Sequence, residues 1–236
     1  MPDSEHLRDL KAVWGDACHS MWAELLSISI AESVVRSRYA EIESSAILNE
    51  IVYAPEVKGR LGTLTKDRYL ERVPRYKDAV ITNRLIILSA SFELYLNNFI
   101  EAYLAARPKF YDQATGKRTM AGDKVYGEVM KVRGLSARIA RMAEEAPFKI
   151  KSLNASLEYV DDVYMLRNVL AHRAGQVDDY AARSIKHISF RSGDRVVMTA
   201  QQMMTLAAPV IKVAEALDRK IEHFPLSHSH NQPRLR

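Results

Sequence analysis

Cysteine is almost absent from this chain of 236 residues, which contains only Cys18. A single cysteine excludes an internal disulfide and a zinc site built from cysteine pairs. No pattern of histidine and asparagine marks Cys18 as a nucleophile, so we interpret it as a small apolar residue in a reducing compartment.

Long apolar runs are also lacking. The run Leu85–Leu88 is far shorter than the roughly 20 residues that a membrane-spanning helix needs. The first residues, MPDSEHLRDL, carry acidic side chains and lack the apolar core of a signal peptide. We therefore expect a soluble, cytoplasmic protein that does not bind a membrane.

Most familiar catalytic patterns are missing as well. The chain has no Walker-type loop, no HExxH and no GxSxG. Its adjacent acidic pairs, Glu144-Glu145 and Asp161-Asp162, fall on helical patterns, where neighbouring side chains diverge around the axis. We therefore predict no metal site and no cofactor.

The charge balance is mildly basic, with 34 Lys and Arg against 29 Asp and Glu. A formal charge of +5 permits an RNA ligand without requiring one. Hydrophobic residues make up 47% of the chain, which is enough to build a core.

Apolar residues recur at steps of three and four along most of the chain, which predicts an all-α fold. Residues 4–53 are predicted to form one very long helix or two helices. They would pack either in the core of the chain or, through a coiled-coil-like interface, against a second subunit. Residues 55–74 read as a connector, and Arg75–Ala106 as the second strong helix.

The second half of the chain continues this pattern. Asp123–Ala146 is predicted to be helical, and Ala200–Ile221 is predicted to be the last helix. β-rich segments flank the turn Arg191–Asp194, which predicts a short hairpin before that helix. We expect an N-terminal helical segment at 1–54, a helical domain at 75–223 and a disordered tail at 224–236.

One helical stretch, Tyr159–Gly175, changes character along its length. Its apolar stripe of Leu153, Leu157, Val160 and Tyr164 leads on to polar side chains. These are Arg167, Asn168 and His172. Such groups are costly to bury unpaired, so they need hydrogen-bonding partners or a cleft.

A simpler interpretation exists for these residues. Arg and His complement the dipole at a helix C-terminus, and Gly175 is an ordinary residue to follow a helix. However, His172 is the only histidine of the seven with an Arg five to seven residues before it, and that Arg is followed directly by Asn.

The string Arg167-Asn168-Val169-Leu170-Ala171-His172 resembles the signature of the HEPN superfamily, the higher eukaryote and prokaryote nucleotide-binding domains. The family motif is Arg, four to six residues, then His, often with a polar residue after the Arg. The segment Ile81–Leu104, containing Ser91-Phe92-Glu93-Leu94-Tyr95-Leu96, is similar to an earlier core helix of these domains. The resemblance, which includes the last helix, covers roughly the last two thirds of the chain and implies a HEPN-like helical bundle.

The resemblance also implies a chemistry. HEPN ribonucleases cleave RNA without metal, with their motifs meeting across a homodimer. His172 would transfer a proton and Arg167 would stabilise charge on the phosphate, as catalytic residues. Asn168 would hold the local geometry or contact the substrate, and Glu93 would orient Arg167, as supporting residues.

Family members often act as toxins in toxin–antitoxin or antiviral-defence systems, which implies an antitoxin or sensor protein as a partner. One group carries a Tyr two residues after the motif His, modified by its antitoxin, but this chain has Ala174 there. Two alternatives stay open. One is a non-catalytic HEPN-like module that binds nucleotide or RNA or mediates protein interaction, and the other is a plain helical interaction protein.

Overall fold

The structure, a computed structural model, describes residues 3–48, 64–145 and 153–220. The predicted tail at 224–236 and residues 55–63 of the predicted connector lie outside these ranges.

The described residues are mostly helical, which confirms the all-α prediction. They form seven helices and one two-stranded hairpin: α1 (Glu5–Arg38), α2 (Lys66–Ala105), β1 (Tyr111–Asp112), β2 (Lys117–Arg118), α3 (Met120–Lys131), α4 (Leu135–Glu145), α5 (Asn154–His172), α6 (Asp179–Ser184) and α7 (Ala200–Asp218).

The chain divides into two compact units. The larger comprises residues 3–14, 85–196 and 201–220, and the smaller comprises 15–84 and 197–200, each less the gaps given above. Helices α1 and α2 each contribute residues to both units.

In the smaller unit, α1 ends at Arg38, inside the stretch 4–53 that was predicted to be one or two helices; residues 49–53 of that stretch lie outside the described ranges. The ammonium of Lys66, which is only 8% exposed, donates to the carbonyls of Tyr39 at 2.7 Å and Ile42 at 2.9 Å. These bonds supply a donor to carbonyls that follow the end of the helix. The helix therefore ends here without a glycine or proline.

Helix α2 begins at Lys66, nine residues before the predicted start, and contains Pro74. A proline in a helix interior lacks the N–H of one helical bond, which is why the sequence favoured a boundary there. Residues 66–74 of the predicted connector are instead the first part of this helix. By length and composition α2 could cross a membrane, but 44% of its most apolar window is buried, and a core helix passes the same test.

The hairpin lies before α3 and not before α7, so its predicted position was wrong. Asp112 closes the turn by accepting from the backbone N–H of Ala114 at 2.8 Å and from the Thr115 hydroxyl at 2.8 Å. Gly116 completes the turn at φ +67°. Side-chain bonding of this kind is local turn chemistry that a hydrophobic pattern does not reveal.

The predicted single helix over 123–146 is two helices, α3 and α4. Gly134, at φ +93°, lies between them in a conformation that favours glycine. Helix α3 packs on α4, and α4 packs on α5.

The core of the larger unit lies between the second half of α2 and α7. The apolar residues that recur at steps of three and four along these two helices are buried: Leu85, Leu88, Phe92, Tyr95, Phe99, Tyr103, Met203, Leu206, Val210, Val213 and Leu217. The Tyr95 hydroxyl donates to the carbonyl of Ala214 at 2.7 Å. Burial raises the pKa of Tyr95, which keeps this hydroxyl a donor.

Candidate functional site

Helix α5 carries the motif, and its end is as predicted. Gly175, at φ +80°, follows the helix, and its N–H donates to the carbonyl of Val169 at 3.1 Å. The helix starts at Asn154, and Leu153 precedes it without a side-chain cap. The β-rich segments after α6 do not pair with each other. The second of them, Arg195–Met198, bonds to the residues after α5, with the Val196 N–H donating to the Gly175 carbonyl at 2.8 Å.

The motif residues occupy the side of α5 next to its buried face. Val160, Val163, Leu166 and Val169 form that face and are at most 2% exposed. Arg167 and Asn168 are half-buried, and His172 is exposed. The apolar stripe therefore continues through Leu166 and Val169, while the polar residues turn away from the core.

An open cleft of about 920 Å³ lies along this side of α5. Segments from α4, α5 and α6 and the turns beside them line it: Arg133, Gly134, Ser136, Ala137, Glu158, Asp161, Asp162, Tyr164, Met165, Arg167, Asn168, Val169, His172, Arg173, Tyr180, Arg183, Ser184 and Lys186. The structure thus brings Arg167, Asn168 and His172 to one surface. Their polarity required either buried hydrogen-bonding partners or a cleft, and the structure shows that they line a cleft.

Arg167 is held by its neighbour. Its Nη1 donates to Asn168 Oδ1 at 2.9 Å. Among the described residues, no carboxylate forms an ion pair with Arg167. Because a guanidinium has five donors in a planar fork, most of this hydrogen-bonding capacity remains for a ligand.

His172 is placed differently. It lies at the last residue of α5 and faces the cleft. Within residues 3–48, 64–145 and 153–220, no side chain hydrogen-bonds its ring. A histidine that acts as a base is commonly oriented by a second group, and none is supplied here by the described part of one chain.

Glu93 has a different partner from the one predicted. Its Oε1 lies 3.3 Å from Nη1 of Arg138, a residue of α4. Glu93 is not among the residues that line the cleft. This carboxylate therefore holds α4 against α2, and its partner is Arg138 and not Arg167.

The cleft wall carries more positive than negative side chains. The cations are Arg133, Arg167, Arg173, Arg183 and Lys186, and the acids are Glu158, Asp161 and Asp162. Lys186 pairs with Glu158 at 2.7 Å, and Arg173 pairs with Asp178 outside the cleft. The remaining arginines leave the wall attractive to a polyanion.

A buried acid, Asp162, supports the wall. It is 1% exposed, and its carboxylate accepts from the backbone N–H of His187 at 2.8 Å and of Lys186 at 2.9 Å. It also meets Nδ1 of His187 at 2.8 Å, and the His187 ring stacks on Tyr159 with centroids 3.5 Å apart. The sequence signal for this contact is that Asp162 falls on the same side of α5 as Leu166 and Val169.

Asp161 is adjacent to Asp162 in sequence, but the two carboxylates do not face one common metal position. Partial burial raises the pKa of the Asp161 carboxyl, and the hydrogen bond from the Ser136 hydroxyl opposes that shift. Within the described ranges, no three His, Cys, Asp or Glu side chains are grouped so that they could hold a metal ion.

Comparison with known proteins assigns no family or fold to this chain. Neither a protein-family model, nor a curated protein, nor a solved structure matches this chain. Resemblance to HEPN domains therefore rests on Arg167–His172 and on the helices around it.

Proposed function

We propose that the chain is a metal-independent endoribonuclease of HEPN type that acts in the cytoplasm as a toxin or antiviral-defence effector. The observation that carries this proposal is the placement of Arg167, Asn168 and His172 on one open cleft, with no carboxylate on Arg167 among the described residues. A motif kept only for the stability of a helix end would not need a cleft.

The chemistry follows from the two charged side chains. The ribose 2′-OH attacks the adjacent 3′-phosphate, the 5′-oxygen leaves, and a 2′,3′-cyclic phosphate forms. His172 transfers a proton to or from these oxygens, because histidine exchanges protons readily near neutral pH. Arg167 binds the phosphate oxygens as their charge grows, and Asn168 holds the guanidinium in position.

A second copy of the chain completes this scheme. Cleavage needs one group to take a proton from the 2′-OH and another to give one to the leaving oxygen, whereas each chain brings one His172. A homodimer with two motifs facing one RNA supplies both. It also supplies the neighbours that the His172 ring lacks within the described residues of one chain. Restraint by an antitoxin, or release by a sensor protein, belongs to the same proposal.

The competing candidate is a non-catalytic module that binds RNA or nucleotide, or that assembles with another protein. It is favoured by one observation, that no described side chain orients the His172 ring. In that case the cleft binds the phosphate backbone through Arg167 and its neighbours, and no bond is broken.

The test is cleavage of a synthetic RNA by the wild type and by Arg167→Ala and His172→Ala, each with folding verified by circular dichroism. His19→Ala and Arg191→Ala serve as matched controls, because both residues are exposed and lie outside the cleft lining. Loss of cleavage in the two motif variants alone supports the nuclease. RNA binding without cleavage by the wild type favours the non-catalytic module. Full cleavage activity in either motif variant contradicts the catalytic role proposed for the substituted residue.

A further inference from the structure

An exposed tyrosine stands at the wall of the cleft. Tyr180, on α6, is 62% exposed, although its ring is large and mostly apolar. It lines the same cleft as Arg167 and His172. Exposed aromatic side chains beside a basic cleft are typical of surfaces that stack nucleic-acid bases.

The short helix that carries Tyr180 is firmly anchored. Val177, Ala181 and Ile185 are at most 6% exposed and fix its inner side. Asp178 caps it by accepting from the Ala181 N–H at 2.8 Å, and also pairs with Arg173 at the end of α5. The backbone that carries the Tyr180 ring is therefore fixed near the motif before any ligand arrives, which lowers the entropic cost of binding.

A cation accompanies the ring. Arg183 lies three residues after Tyr180, so both lie on the side of α6 that lines the cleft. Its Nε donates to the carbonyl of Asp179 at 3.0 Å, and among the described residues it forms no ion pair with a carboxylate. The guanidinium ends are thus left to contact a phosphate next to a base that stacks on Tyr180.

We propose that Tyr180 is a stacking platform for an unpaired base, with Arg183 on the adjoining phosphate, so that this end of the cleft takes single-stranded RNA. Bases of a duplex have both faces covered by their neighbours, and proteins therefore stack aromatic rings on unpaired bases. The inference rests on the proposed function in taking RNA as the ligand. It adds a residue outside the motif that selects unpaired RNA.

The experiment measures binding separately from cleavage. Fluorescence anisotropy follows a labelled 12-nucleotide single-stranded RNA of mixed sequence, and the corresponding duplex, with the full-length His172→Ala chain as the parent. Adding Tyr180→Ala is expected to weaken single-strand binding by about 5- to 100-fold, the range for one lost base stack. Adding Tyr180→Phe, which keeps the ring, is expected to change it by less than about twofold.

Trp22→Ala in the same parent is the matched control. It removes an exposed aromatic ring, 51% exposed, from the smaller unit, and is expected to leave the affinity unchanged. Duplex binding is expected to be weaker than single-strand binding and insensitive to Tyr180→Ala. Equal single-strand affinity for Tyr180→Ala and the parent, or no binding by the parent, overturns the inference.

Cleavage distinguishes this failure from failure of the proposed function. If the wild type cleaves RNA and Tyr180→Ala cleaves it equally well, the nuclease stands and the stacking platform falls. If binding depends on Tyr180 but the wild type cleaves nothing, the platform stands and the nuclease falls.

Discussion

The buried carboxylate of Asp162 and the residue His187 are joined twice: Oδ2 accepts from the His187 backbone N–H at 2.8 Å and meets its ring Nδ1 at 2.8 Å. They are 25 residues apart in sequence. This clasp ties the segment after α6 to the motif helix and so supports one wall of the cleft.

Asp162→Ala is expected to lower the free energy of unfolding by about 2–4 kcal/mol, because it leaves the part-buried backbone N–H groups of Lys186 and His187 without their acceptor. Urea denaturation measures the change. Asp161→Ala is the matched control, since Asp161 is less buried than Asp162 and accepts a hydrogen bond from the Ser136 hydroxyl, and it is expected to cost no more than about 1 kcal/mol. Equal effects of the two substitutions would show that the clasp does not stabilise the fold.

Two glycines of α3 are expected to respond in opposite directions to alanine. A Cβ on Gly122 would lie 2.0 Å from the Phe110 carbonyl oxygen, whereas a Cβ on Gly127 would meet nothing within 4 Å. Gly122→Ala should therefore destabilise the protein, by more than about 2 kcal/mol. Gly127→Ala should stabilise it, by about 0.5–1 kcal/mol, because it improves helix propensity. Thermal unfolding of both variants checks the signs, and a stable Gly122→Ala protein would place the hairpin elsewhere.

The hydroxyl of Tyr95 is expected to contribute to the core between α2 and α7. Tyr95→Phe removes the 2.7 Å hydrogen bond to Ala214 and leaves that buried carbonyl without this donor. The expected cost is about 1–2 kcal/mol in the free energy of unfolding. Tyr111→Phe removes a bond of the same length to Gly116 at an exposed site, where water replaces it, and should cost less than about 0.5 kcal/mol. A larger loss in Tyr111→Phe than in Tyr95→Phe would contradict the packing described for α2.

The proposed contact of Arg167 with phosphate requires the guanidinium and not only a charge. Arg167→Lys is expected to retain folding but to lower kcat/KM for RNA cleavage by at least about tenfold, since lysine lacks the planar fork. Asn168→Ala should lower it less, because it removes only the positioning bond from Arg167. Wild-type kcat/KM in Arg167→Lys would show that the fork does not contact the reacting phosphate.

The sequence predicted the features that depend on residue spacing within one helix. The buried stripe of α2, from Leu85 to Tyr103, and the end of α5 at Gly175 both followed from spacing and glycine preference. Spacing also brought Asn168 and His172 to one side of α5.

What the sequence did not predict depends on contacts between distant residues. Lys66 hydrogen-bonds the backbone just after the end of α1, and Asp112 bonds the turn of the hairpin. Glu93 pairs with Arg138, which is 45 residues away in sequence. Tyr180 and Arg183 line the cleft because α6 packs on α5. The periodic spacing of residues along one helix does not predict which other helix packs on it. Local rules therefore located the motif, and tertiary packing supplied the wall opposite it.

The most direct measurement of the central claim is cleavage of a defined RNA in excess EDTA by the wild type beside His172→Ala, with the product ends identified by mass spectrometry. We predict cleavage by the wild type alone, 2′,3′-cyclic phosphate ends, and no cleavage of the same RNA carrying 2′-O-methyl groups. Cleavage by both proteins, or by the wild type with ends other than these, would contradict a reaction centred on His172.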